Sequence, residues 1–76
     1  MNTYETGAQF VAAMYEDNCW SNGPEPMTEE DAVYNLDCYR TVYRLEIPPT
    51  VTPRRFCAIW NLLYMRDMWR RWEATA

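Results

Sequence analysis

Proline limits what this chain can fold into more than any other residue. The five prolines stand at positions 24, 26, 48, 49 and 53. Each removes a backbone donor and pushes the preceding residue away from helical geometry. Gly23-Pro24-Glu25-Pro26 and Ile47-Pro48-Pro49 therefore divide the sequence into three stretches, and each stretch carries helical signals of its own.

In the first stretch, Thr3 or Thr6 can cap a helix. Its apolar positions Tyr4, Ala8, Val11, Tyr15 and Cys19 step by four, three, four and four, with Phe10 and Met14 widening the stripe. The spacing predicts a helix over about 4–19 and a loop over 21–27. Thr28 then opens a second helix with Glu29, Glu30 and Asp31 in its first turn, where carboxylates meet the positive end of the helix dipole. This helix is expected over about 29–45, with Ala32, Leu36, Tyr39 and Tyr43 facing inward, Val33 alongside, and Arg40 and Arg44 in its late turns. A proline-rich link over 47–52 follows. Thr52-Pro53 repeats the capping signal and starts the longest helix, over about 53–73.

The first half of that helix, FCAIWNLLYM from Phe56 to Met65, is apolar nearly all round, which predicts a central, buried element too short to span a bilayer. The expected fold class is all-α: a small three-helix domain over residues 1–76, with the first two helices packed around the first half of a long central C-terminal helix. At 76 residues a single core leaves only a few kcal/mol of net stability. The reinforcement available is a high density of large aromatics (Trp20, Trp60, Trp69, Trp72, six Tyr and two Phe) or a second copy of the chain.

Catalytic and metal chemistry find little to work with. Cys19, Cys38 and Cys57 are odd in number, and no secretory pattern opens the chain, so a reducing cytoplasm is expected and disulfides are not. With no His, no Lys and no CxxC pair, the cysteines read as small buried hydrophobes, and neither a metal nor another cofactor is expected. Glu29, Glu30 and Asp31 read as a helix first turn before they read as a carboxylate dyad. A non-enzymatic protein is the expectation.

Binding is better supported. MRDMWRRW, residues 65–72, continues the Ala58, Leu62, Met65 stripe through Trp69 and Trp72 at steps of four, three, four and three. The preceding helices are shorter, so this end can outrun any partner within one chain. Packed core, a membrane foot and a nucleic-acid grip each leave part of the segment unexplained. Protein docking uses all of it: Trp69 and Trp72 as anchors, Met65 and Met68 as adaptable packing, and Arg66, Arg70 and Arg71 as forks for carboxylates.

Charge is divided unevenly. Residues 1–39 hold eight acids and no base; residues 40–76 hold seven Arg against three acids; the halves, −8 and +4, give the net −4. The acidic half can simply neutralise the arginines of the third helix, or it can present Glu16, Asp17, Glu29 and Glu30 to a basic groove. Arg54 and Arg55 sit in a helix first turn, where the dipole disfavours cations. They form a clamp to Glu46 or to the Glu29–Asp31 cluster, or a candidate anion site. A pI of about 4.6 and a proline-rich link too long for a helix-turn-helix weigh against duplex DNA. Apolar residues all round the helix weigh against a membrane-surface role.

In size, acidity and lack of catalytic equipment, the chain is similar as a class, without a shared motif, to the small inhibitor proteins made by phages and mobile elements, such as anti-CRISPR and anti-restriction proteins. That resemblance implies a protein-binding module that inhibits host nucleic-acid machinery by occupying a partner surface. The alternative is a homodimeric adaptor or regulator without inhibitory action.

Overall fold

The structure is a computed structural model and describes residues 6–17 and 25–75. It is all α: α1 spans Gly7–Asp17, α2 spans Glu29–Thr41, and α3 spans Pro53–Thr75 as the long C-terminal helix. Each helix starts on a threonine. Thr6 Oγ1 accepts the Gln9 N–H at 3.1 Å while Gln9 Oε1 accepts the Thr6 N–H at 3.2 Å, a reciprocal capping box. Thr28 Oγ1 accepts from Asp31 N–H and Thr52 Oγ1 from Arg55 N–H, both at 3.1 Å. Pro53 follows Thr52 at the one helical position where a missing donor does no harm. Thr3, Tyr4 and Cys19, assigned to the first helix by spacing, lie outside the described residues.

The second helix ends at Thr41, short of the predicted 45. Arg44 takes a left-handed φ of 53°, and Leu45 N–H returns to Tyr39 O at 2.9 Å, which closes the helix end. Arg44 therefore lies beyond the helix and not in its last turn. The early stop also leaves Tyr43 exposed, against its expected place on the inward stripe. Val33 is exposed as well, because it is about 100° round the helix from Ala32, and Ala32, Leu36 and Tyr39 already fill the inward face. On α1 the buried set is Phe10, Val11, Met14 and Tyr15, and Ala8, expected in that row, faces solvent.

Both shorter helices pack on α3. The centre is aromatic: Trp60 and Phe56 are fully buried and stack with centroids 5.6 Å apart, Tyr15 meets Trp60 edge-on at 5.0 Å, and Tyr39 bridges Phe56 and Phe10 at 6.0 and 6.1 Å. At the start of α1, a Cβ on Gly7 would come 2.8 Å from Thr50 Oγ1 and 3.0 Å from Val51 Cγ2, so only glycine lets the helix lie this close to the link before α3.

The residues before α2 are fastened to α3 by side chains. Met27 N–H donates to Asn61 Oδ1 and Asn61 Nδ2 donates to Met27 O, each at 2.8 Å. Cys57 Sγ donates to the same carbonyl at 2.9 Å, and Trp60 Nε1 donates to Glu25 O at 2.8 Å. The backbone at 25–27 pairs with no helix or strand, and these side chains satisfy it instead.

The expectation that the first half of α3 is buried all round is corrected. Phe56 and Trp60 are its only fully buried residues, while Ala58 and Leu62 are exposed. Two helices can cover only one side of a third, and residues 25–27 close the edge of that side, not the back. The Cα radius of gyration, 13.0 Å, exceeds the roughly 11 Å of a compact chain this long, and the longest dimension is 42 Å.

Candidate functional site

α3 rises about 34 Å over its length. Its inner face carries Phe56, Trp60, Leu63, Tyr64 and Asp67, and the last tie to another helix is made at Asp67. Tyr15 Oη donates to Asp67 Oδ2 at 2.6 Å, and Arg66 Nη2 reaches Asp67 Oδ1 at 3.0 Å and Glu16 Oε1 at 3.4 Å. Burial pushes the Tyr15 phenol well above its ordinary range, and the Asp67 hydrogen bond adds to this. The same hydrogen bond, with Arg66 behind it, holds the Asp67 carboxyl below the usual carboxylate range. The end of α1 is thereby tied to α3 within the first turn of residues 65–72.

Beyond Asp67 the helix continues for about 12 Å to Thr75. On its outer side Leu62, Met65, Trp69 and Trp72 are 67, 66, 61 and 60% exposed. With Ala58 they fall within an arc of about 80°, centred about 160° from Trp60. α3 therefore has two apolar faces on opposite sides, one built into the core and one bare. Nothing in the four-three-four-three spacing of Ala58 to Trp72 distinguishes a core row from a docking row. The indoles of Trp69 and Trp72 lie 5.1 Å apart, and together with Tyr64, Met65 and Met68 they line a shallow groove of about 440 Å³.

The other residues singled out by sequence are placed as follows. Arg70 and Arg71 are exposed on the free end of α3, and Met68 is half-buried there. Arg66, expected as a fork toward a partner, spends its guanidinium on Glu16 and Asp67 within the chain. Glu16 is likewise paired, while Asp17, Glu29 and Glu30 are exposed. General neutralisation of the arginines by the acidic half is not what forms: among the described residues the ion pairs all belong to Arg66. The clamp from Arg54 and Arg55 to Glu46 or to Glu29–Asp31 does not form either. Both arginines stand in solvent at the N-terminus of α3, with Arg55 bordering a concavity of about 390 Å³ beside Gly7, Thr50 and Val51.

Two features were missed by sequence reasoning. Asn61 reads as a lone polar residue in an apolar run and is in fact the clamp on Met27; a polar residue at an inward-edge position of such a run was the available signal. Val33 and Tyr34 form a second exposed apolar spot on α2, beside Arg40 and Pro53. Among the described residues no group of His, Cys, Asp or Glu has the arrangement of a metal site, and no helix is long and apolar enough to cross a membrane. Comparisons with protein-family models, curated proteins and solved structures find no match to this chain.

Proposed function

We propose that the protein is a non-catalytic protein-binding module that docks through the outer face of α3 from Leu62 to Trp72. The observation that carries this reading is the exposure of two tryptophans, a methionine and a leucine in one row on a helix whose opposite face already supplies the core. Large exposed apolar rows cost solubility and persist where a partner covers them. Trp is among the side chains that dominate binding energy, and this row carries two.

A Trp69→Ala/Trp72→Ala double variant tests the reading. Both indoles are largely exposed, so the thermal midpoint is expected to stay within a few degrees of wild type while association, with itself or with a protein from its native host, is lost. Association that survives the double substitution, or its absence in both proteins, refutes docking through this face.

Inhibition of host nucleic-acid machinery is a narrower version of the same reading. It draws on the class resemblance and on the exposed carboxylates Asp17, Glu29, Glu30 and Asp31. If these acids occupy a basic groove, Glu29→Lys/Glu30→Lys slows association with that partner steeply at low salt and little at high salt, because such charges steer encounter and are screened. An unchanged association rate removes the groove-mimicking version and leaves docking by α3 intact.

A further inference from the structure

The outer row of α3 repeats at an average of 3.5 residues from Ala58 to Trp72, the spacing of a seam between two helices. Any one-sided burial of a helix produces such a row, so the occupant is chosen by its taper, its area and the charges at its edges. From this row, and resting on the docking reading above, we infer that its occupant is a second copy of the same helix, laid antiparallel across it.

Three observations select this occupant. The row is tapered: Leu62 and Met65 lie beside the body of the molecule, and Trp69 and Trp72 lie on the free end. Antiparallel pairing about residue 67 sets Leu62 against Trp72 of the other copy and Met65 against Trp69, small against large in every layer. Parallel pairing would stack tryptophan on tryptophan at one end and leave a thin seam at the other. Direction also matters to the bodies, because among the described residues the hydrogen bonds from α1 and residues 25–27 reach α3 at Cys57, Trp60, Asn61 and Asp67 and none lies beyond Asp67. In the antiparallel arrangement the two bodies sit at opposite ends and the bare ends overlap.

Area is the second argument. Each indole carries about 150–250 Å² of coverable surface, so two such rows face to face remove roughly 1,000 Å² in total, which reaches the lower bound of a specific interface. Charge is the third. The pair axis brings Arg66 of one copy near Arg66 of the other, but each arrives already compensated by its own Glu16 and Asp67. Met68, on the opposite edge of the row, meets its own counterpart and widens the apolar seam. Arg70 and Arg71 are left outside the seam, in water.

Light scattering over a concentration series gives the state of the purified protein, and a residue swap gives the direction. Wild type is expected to be a dimer at about 100 μM, well above the dissociation constant of a specific interface. Leu62→Trp overfills one layer and Trp72→Leu empties it, so each weakens self-association by about tenfold or more. The combined Leu62→Trp/Trp72→Leu variant exchanges the members of the same layer and recovers most of the lost affinity. In a parallel pair residue 62 faces its own counterpart, and the swap rescues nothing. A monomer at that concentration overturns the second copy as occupant; if Trp69→Ala/Trp72→Ala still abolishes capture of a foreign protein, the docking reading survives on its own. A dimer whose affinity ignores all three variants overturns both. Both positions are exposed, and an unchanged helical spectrum confirms that each variant is folded.

Discussion

Asn61 shows how much one amide can organise. Its side chain answers both the donor and the acceptor of Met27, and no carboxylate or hydroxyl of similar size supplies both groups in one plane. Asn61→Ala leaves the Met27 N–H without its partner and is expected to lower unfolding free energy by about 1–3 kcal/mol in a urea titration. Asn61→Asp retains the acceptor but not the donor and recovers only part of that loss. Arg44 offers the reverse opportunity. It holds a left-handed conformation that glycine occupies without strain, so Arg44→Gly is expected to raise the thermal midpoint, by up to about 1 kcal/mol of stability. No sequence signal marks Arg44, because the left-handed position of a helix end is normally advertised by Gly or Asn. Thr6, Thr28 and Thr52 were legible for the opposite reason, since a cap is a contact between residues three apart and needs no knowledge of the fold.

At the scale of elements, the polar tie at the end of α1 is one hydrogen-bonded group, Tyr15 to Asp67 with Arg66 behind it. Asp67 has a folded pKa below its unfolded value, so its contribution is present above about pH 4 and is lost as pH falls through the folded value. Tyr15 has a folded pKa above its unfolded value, so its contribution is present below about pH 10 and is lost as pH rises beyond that. The difference in thermal midpoint between wild type and Tyr15→Phe is therefore expected to be greatest from about pH 5 to 9 and to shrink on both sides. Its plateau corresponds to about 0.5–1.5 kcal/mol. A difference that does not change with pH would mean that the hydroxyl is not tied to Asp67.

The same group sets where α3 can be shortened. Ending the chain after Tyr64 removes Asp67 and with it the hydrogen bond to the Tyr15 hydroxyl, whereas ending it after Met68 keeps that bond. The shorter truncation is expected to keep the core and its cooperative unfolding and to lose self-association. The expectation of a helix buried on all sides failed because periodicity reports that a face is apolar and not what covers it. Ala58, Leu62 and Met65 satisfy the same rule as Phe56, Trp60 and Leu63, and only the number and length of the neighbouring helices decides between them. The three-helix class was readable because the prolines fix where helices must break. The path of residues 25–27 was not, since side-chain clamps across 30 to 35 positions leave no local pattern.

For the whole molecule, acidity and the tryptophan row act in opposition. Two copies at −4 each repel over distances comparable with the Debye length, while the row attracts only at contact. Self-association is therefore expected to tighten when salt is raised from about 50 to 500 mM, as screening removes the repulsion and leaves apolar burial in place. A nucleic-acid binder that depends on arginines shows the opposite slope.

α3 is covalently and conformationally one rod, yet only part of it belongs to the cooperative unit. Amide hydrogens up to about Asp67 can exchange only when the aromatic core opens, so their protection measures the global unfolding free energy. Those from Met68 onward belong to turns that no other helix among the described residues ties by a hydrogen bond or ion pair, and a helix of that length alone is marginal in water. In dilute protein the exchange profile along α3 should fall abruptly just after the Tyr15 attachment at Asp67. At concentrations where copies pair, the step should move toward the C-terminus, so the position of a single discontinuity in exchange rate reports occupancy of the bare face without a label or a mutation.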